Sequence, residues 1–213
     1  MNPTDPKIIE YAEQISKPES PLLNRIFRET NLKVMNPIML SGHLQGKFLS
    51  LLSRMIKPLF ALEVGTYTAY SALCIAQGLQ PDGKLFTIES NPELEDICRK
   101  NIMDSGLHHK IELLMGDARE LIKGLPQSFD MVFIDFDKEI YLDIYKLVFE
   151  KLNPGGYIIA DNVLWHGKIL DEEEQNYRGT QSLAAFNEYV RNDERADNLL
   201  LPFRDGLMII QKL

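Results

Sequence analysis

The sequence predicts an α/β fold: a doubly wound, mostly parallel, seven-stranded sheet with a C-terminal antiparallel strand and extra N-terminal helices. Three observations carry this. From residue 59 onward, short apolar runs ending in an acid or a glycine alternate with segments of helical periodicity. That alternation implies parallel strands joined by right-handed crossovers. The last two apolar segments, 197–202 and 207–212, lie close in sequence and read as a hairpin around Phe203-Arg204-Asp205-Gly206, which supplies the antiparallel member. A length of 213 residues predicts one domain, 1–213, with residues 1–40 as a helical cover or lid and 41–213 as the core.

The elements follow in order. Residues 5–17 place Ile8, Ile9, Ala12 and Ile15 at helical spacing, with Pro6 in the first turn. Residues 20–34 repeat the pattern with Leu22, Leu23, Ile26 and Phe27, Ser20 serving as cap before Pro21. Both segments precede every strand, so they are additions to the core: a cover over one sheet face, or a lid or dimer element. A third helix, 41–57, carries the stripe Phe48, Leu49, Leu52, Met55 and Ile56 and ends at Pro58. Strand 59–64 leads to helix 69–79, then a turn at Gln80-Pro81-Asp82-Gly83. Strand 84–89 is followed by Asn91-Pro92 and a helix to residue 103. Strand 111–116, a short helix 118–123, strand 130–135 and helix 139–152 come next. A turn at Asn153-Pro154-Gly155-Gly156 opens strand 157–161, and a polar loop over 167–178 leads to helix 180–193.

Composition narrows the function. A net charge of -8 and a pI near 5.1 argue against general affinity for nucleic acid or anionic membrane. No stretch approaches the roughly 18 uncharged apolar residues of a spanning helix, and the N-terminus shows no apolar signal core. Cys74 and Cys98 lie in helix-like segments outside any CxxC or Cys/His cluster and read as reduced packing residues, which fits a cytoplasmic protein.

The chemistry lies in where the polar residues fall. Five predicted strands end in an acid or a glycine: Glu63-Val64-Gly65, Glu89, Gly116-Asp117, Asp135 and Asp161. One such acid is most simply a helix cap; a series of them along one sheet edge marks the edge where open α/β sheets bind ligands. Glu89 closes the second strand, where an acid accepts hydrogen bonds from ribose hydroxyls, which suits NAD or an adenosyl cofactor equally. The turn Gly65-Thr66-Tyr67-Thr68-Ala69-Tyr70 has one glycine, whereas a dinucleotide pyrophosphate wants G-x-G-x-x-G. A cofactor without phosphates, built of adenosine, a sulfonium and an amino acid, fits better. An NAD-dependent dehydrogenase is the alternative, and a non-catalytic binding protein on the same fold a third.

The segments LEVGTYTAYSAL, Glu89, GDA, FIDFDKEIY and ADNVLWHGKI together resemble the cation-dependent class I S-adenosylmethionine O-methyltransferases, the caffeoyl-CoA and catechol O-methyltransferase group. The resemblance runs from about Met39 to the C-terminus. It implies a Rossmann-like methyltransferase fold and roles for matching positions. Glu63 and Gly65 would line the methionine part of the cofactor, and Ser71 would hold its carboxylate with the Ser41 backbone and Tyr67 nearby. Glu89 would bind ribose, Asp117 and Ala118 would flank adenine, and the carbonyl edge of Asp135 would contact the cofactor amino group. It also implies a homodimer. Ala69 departs from the family's usual glycine; alanine is accommodated there if the backbone is helical.

Asp135 and Asp161-Asn162 end neighbouring strands, which in a parallel pair lie about 4.8 Å apart. Two carboxylates and a carboxamide are hard ligands for Mg²⁺, Mn²⁺ or Ca²⁺, and they leave room for water and a bidentate diol. No His or Cys set supports zinc. A phenol, with a pKa of about 10, attacks poorly at neutral pH, and a bound dication lowers that value. Lys138, three residues after Asp135, is by the same resemblance the base that takes the phenol proton, its own pKa depressed by the dication; a plain surface lysine pairing with Asp137 or Glu139 is the simpler reading of the residue alone. Met39, Tyr141 and Trp165, the sole tryptophan, are expected walls for an aromatic substrate. No cationic cluster beyond Lys47, Arg25 and Arg28 suits a coenzyme A tail, so a small catechol or hydroxycinnamate is favoured over a caffeoyl-CoA-like ester.

Overall fold

A computed structural model describes residues 5–171 and 173–213. The first four residues of the expected N-terminal cover, and Glu172 in the polar loop, lie outside the described residues. The chain divides into two compact units, 1–117 and 118–213.

The first unit contains α1 (Pro6–Ile15), α2 (Pro21–Lys33), α3 (Gly42–Ile56), β1 (Phe60–Val64), α4 (Tyr70–Ala76), β2 (Lys84–Glu89), α5 (Glu95–Asp104) and β3 (Ile111–Met115). The N-terminal helices start where their caps are: Asp5 accepts from the Lys7 N–H at 2.9 Å and Ser20 Oγ from the Leu23 N–H at 3.2 Å, each followed by proline at the first turn. The strands run β3-β2-β1, all parallel, with Val64 opposite Ile88 and Glu89 opposite Met115. This register brings Glu63 to Gly65, Glu89 and Gly116 to one edge. β1 and β2 are buried on both faces and mostly apolar, with Glu63, Thr87 and Glu89 as buried polar exceptions.

Two close approaches shape this unit. Gly46 of α3 leaves the space filled by the Tyr70 ring and Cys74 Sγ of α4. Gly78, just past α4, sits against the main chain of Ser53 and Arg54, while Ser53 Oγ donates to Ile75 O at 2.7 Å.

The second unit contains α6 (Ala118–Gly124), β4 (Phe129–Ile134), α7 (Tyr141–Glu150), β5 (Leu152–Ala160), α8 (Arg178–Arg191), β6 (Ala196–Leu201) and β7 (Leu207–Lys212). Its strand order is β4-β5-β7-β6, with β4 and β5 parallel and β7 antiparallel to both of its neighbours. Residues 131–134 of β4 are wholly buried, and an aromatic cluster of Tyr141, Tyr145, Phe149 and Phe186 packs α7 against α8. The seven strands, mostly parallel with one antiparallel member near the C-terminus, are those of the expected class.

Four local readings change. The helix expected at 69–79 is confined to Tyr70–Ala76. The one expected at 139–152 begins as a 3-10 turn, Lys138–Ile140, before α7. The 153–156 turn is a bulge within β5: Phe129 pairs with Leu152 and Met131 with Tyr157. Most of the polar loop is ordered as short turns, Trp165–Leu170, which is kinked by non-helical backbone at His166 and Gly167, and Glu174–Asn176, and α8 begins at Arg178. Ala69 is not in right-handed helical backbone either; it has φ 65° and ψ 15°, the left-handed region, which costs an L-residue roughly 1–2 kcal/mol.

Gly78→Ala is expected to destabilise the protein by about 2 kcal/mol, because the new methyl would overlap main chain rather than a movable side chain. Urea denaturation of the two proteins measures the difference, and equal midpoints would contradict it.

Candidate functional site

In the first unit, a buried hydrogen-bond chain holds the turn after β1. Gly65 has φ 106°, open to glycine and strained for other residues. The N–H groups of Gly65 and Thr66 both donate to Ile88 O, at 3.0 and 3.2 Å, so the β1–β2 ladder extends into the turn. The Thr66 and Thr87 hydroxyls meet at 2.6 Å, and Thr87 Oγ1 donates to Glu63 Oε2 at 2.5 Å. Glu63 is thereby supported at zero solvent exposure, where a bare carboxylate would be very costly.

Glu89 organises the other side of the turn. Its Oε2 accepts from Tyr67 N and its Oε1 from Asn91 N, both at 2.8 Å. Cys98 Sγ donates to Tyr67 O at 2.8 Å and Asn101 Nδ2 to Thr68 O at 3.0 Å. Burial, then the charges of Glu89 and Glu63, push the Cys98 thiol well above its ordinary value, which keeps it a neutral donor. Tyr67 Oη reaches Met35 O at 3.0 Å and Asn36 O at 3.3 Å.

These acids suit one kind of ligand. Each Glu89 oxygen holds one N–H and keeps a lone pair for a further donor, which matches vicinal ribose hydroxyls. Two buried acids at neighbouring strand ends would repel a pyrophosphate and favour a cationic sulfonium or ammonium group. The residues present therefore fit an adenosyl sulfonium cofactor. Ser41 and Ser71 are nearly buried, Met39 and Asp117 are exposed, and Ala118, the first residue of the second unit, is buried.

In the second unit the register does the placing. Ile134 pairs with Ala160, and Asp161 N donates to Ile134 O at 2.9 Å, so Asp135 and Asp161 leave adjacent strands at the same level. Lys138 Nζ donates to Asp135 Oδ1 at 3.0 Å and to Tyr141 Oη at 2.8 Å. Tyr141 Oη shares its proton between Asp161 O at 2.9 Å and Ile134 O at 3.2 Å. Burial by itself would lower the Lys138 pKa; Tyr141 and Asp135 outweigh it, and the ammonium is held above the ordinary lysine value. The lysine is thus neither a solvated surface charge nor, beside these groups alone, a free base.

Tyr141 differs from its expected place. Its ring has no exposure and packs edge-on against Phe186 at 5.6 Å, so it cannot form a pocket wall. Its hydroxyl ties Lys138 to both strand ends instead. Trp165 is half-buried, its indole over Gly179.

The donor set fits a hard cation. Asp161 is 3% exposed, and its Oδ1 is fixed by the Asn162 N–H at 2.8 Å. With Asp135 and the Asn162 carboxamide, this makes an all-oxygen set. Among the described residues no group of three or more His, Cys, Asp or Glu is placed to bind a metal ion; the Asp135, Asp161 and Asn162 set has two carboxylates and a carboxamide.

Sequence reasoning missed Thr66, Thr87, Cys98 and Asn101, the supports of the turn. Thr87, a hydroxyl in the buried apolar strand KLFTIE, was the available signal, since a buried hydroxyl needs a partner.

The O-methyltransferase family model matches residues 13–213. The chain is 30% identical over 207 residues to caffeoyl-CoA O-methyltransferase 2 of Petunia hybrida, covering 92% of this chain and 86% of that protein. It is 34% identical over 161 residues to a catechol O-methyltransferase of Niastella koreensis, covering 74% and 72% respectively. The crystal structure of a Bacillus cereus O-methyltransferase in complex with SAH superposes with a TM-score of 0.89 at 27% identity, covering 97% of each chain. The family match spans nearly the whole sequence and includes every residue of the candidate site: the chain belongs to the O-methyltransferase family.

Proposed function

We propose that the protein transfers the methyl group of S-adenosylmethionine to a hydroxyl of a small catechol-type substrate, with a divalent cation and Lys138 assisting. The observation that carries this is the Asp135–Lys138–Tyr141 network beside Asp161 and Asn162. Family membership supports methyl transfer and removes the support for a dehydrogenase; relatives named for catechol and for caffeoyl-CoA support an ortho-dihydroxylated ring.

S-adenosylmethionine supplies a methyl on a cationic sulfur, and Glu63, Gly65, Tyr67, Ser71 and Glu89, with Ser41, Asp117 and Ala118, would hold it. Mg²⁺, Mn²⁺ or Ca²⁺ at Asp135, Asp161 and Asn162 would supply positive charge that lowers the phenol pKa. Lys138 would take the phenol proton at Nζ, and the Tyr141 hydroxyl beside that nitrogen would keep it oriented. Displacement at the methyl is in line, so holding donor and acceptor in alignment contributes as much as the proton transfer. Met39 and Trp165 would bound the ring. Of the three cations considered for a coenzyme A tail, Arg25 is paired with Asp104 at 2.5 Å; we favour the small diol over the caffeoyl-CoA-like ester. We propose a cytoplasmic homodimer as the working form; the free, buried cysteines fit a reducing compartment, and Tyr11, Ile15 and Leu32 leave exposed apolar area on the first helices for a second copy to cover. Among the described residues no helix is long and apolar enough to cross a membrane.

A screen of catechols, hydroxycinnamates, their CoA esters and monophenols with labelled methyl donor, with and without EDTA, tests the reading. Full activity in EDTA would remove the cation from it. Lys138→Ala should lower kcat by about 100-fold or more with S-adenosylhomocysteine affinity unchanged, and an unaltered kcat would exclude Lys138 as base. Tyr141→Phe should lower kcat by about tenfold, less than loss of the lysine, because it removes only the second anchor of Nζ. Asp161→Ala should abolish Mn²⁺ binding in calorimetry while S-adenosylhomocysteine still binds; retained Mn²⁺ affinity would refute the ligand assignment.

A further inference from the structure

The loop after β5 carries both Asn162 and Trp165, and its backbone is strained. Asn162 (φ 58°), Trp165 (φ 51°) and His166 (φ 56°) all lie in the left-handed region, followed by Gly167 at 79°. Three non-glycine residues so close together persist in that region only when their surroundings hold them there.

The holding groups come from two other elements of the same unit. The β6–β7 turn provides most of them. Val163 N donates to Gly206 O at 3.2 Å and Leu164 N to Asp205 O at 2.9 Å. His166 N donates to the Asp205 carboxylate, at Oδ1, at 2.5 Å. From α8, Asn187 Nδ2 donates to Val163 O at 2.9 Å. Gly206, at φ 87°, leaves the space that Leu164 occupies. Asp205 is only 13% exposed at its side chain, and its second oxygen is buried without a hydrogen bond, 3.7 Å from His166 Nδ1. A near-buried carboxylate that spends one oxygen on a single main-chain N–H and leaves the other unbonded is a costly choice for a turn, where glycine, asparagine or serine would do. The geometry accounts for it: Asp205 grips the loop at two points, by its carbonyl at 164 and its carboxylate at 166.

We infer that Asp205 is a positioning residue for the transfer site, which together with Asn187 fixes the 162–166 loop so that the Asn162 carboxamide and the Trp165 indole are presented in one arrangement. The inference rests on reading Asn162 as a cation ligand and Trp165 as a substrate wall. Neither Asp205 nor Asn187 touches the reacting atoms in this scheme.

Trp165 is the only tryptophan, so its fluorescence reports the loop without substrate, cation or turnover. The experiment compares wild type with Asp205→Ala, Asp205→Asn and Asn187→Ala. Asp205→Ala should raise acrylamide quenching of Trp165 by about twofold, weaken Mn²⁺ binding by about tenfold and raise KM for the diol more than it lowers kcat, with S-adenosylhomocysteine affinity within about twofold. Asp205→Asn keeps an oxygen for the His166 N–H and should restore most of each property. A folded Asp205→Ala protein with wild-type quenching and wild-type Mn²⁺ affinity overturns the inference, as does an Asp205→Asn protein as impaired as the alanine variant. If Asp205→Ala does not fold, Asn187→Ala decides by the same readouts, since it removes the bond to Val163 O. If wild type binds no Mn²⁺, the cation assignment fails by itself and Trp165 quenching still decides whether Asp205 holds the loop.

Discussion

A carboxylate buried at a strand end is tolerated only when donors are buried with it, and both units of this chain are arranged around that requirement. Glu63 takes the Thr87 hydroxyl, and Glu89 takes two backbone N–H groups from the turns on either side of it. Asp135, only partly buried, takes an ammonium, and Asp161 takes the N–H of the next residue. In the proposed reading these acids would have two tasks: they shape the strand ends, and they would keep lone pairs for what binds there.

The readable part of the sequence was the part set by periodicity and strand ends. Acids and glycines after apolar runs located the edge, and FIDFDKEIY singled out Lys138, although the partner the residue suggests by itself, Asp137 or Glu139, gives way in the structure to Asp135. Those features are local, so one window of sequence contains them. What was not readable depends on contacts between distant segments. Thr87 supports Glu63 across a strand pair, Cys98 and Asn101 reach the turn from α5, and Asp205 reaches a loop that leaves the sheet some forty residues earlier. Tyr141 shows the limit most clearly. Its place in FIDFDKEIY marked it as important, but only the packing of α7 against α8 decided that its ring faces inward and its hydroxyl faces the lysine.

Ala69 illustrates a different limit. Residue type and position were both correct in the reading, but the backbone state was not. The left-handed turn is stabilised by the Ala69 N–H to Thr66 O bond at 2.8 Å and by the pinned carbonyls of Tyr67 and Thr68, which together offset the cost of a Cβ there. The hydrogen bonds around the turn explain how alanine is held in a conformation that favours glycine.

Lys138 joins the electrostatics to the chemistry. Left to its burial, it would be an easily deprotonated amine; beside Asp135 and Tyr141 it is a firmly held ammonium. If Lys138 is the base, as proposed, its proton must be released when substrate arrives. Asp135 would offer the means, because one carboxylate cannot give its full charge to the ammonium and to a dication as well. The same residue that holds the proton on Lys138 would, on engaging a cation, weaken that hold, so the lysine's basicity would be coupled to occupancy of the neighbouring site. The Tyr141 hydroxyl accepts from Lys138 Nζ and is itself fixed by Asp161 O and Ile134 O, so it would hold the nitrogen in place independently of Asp135.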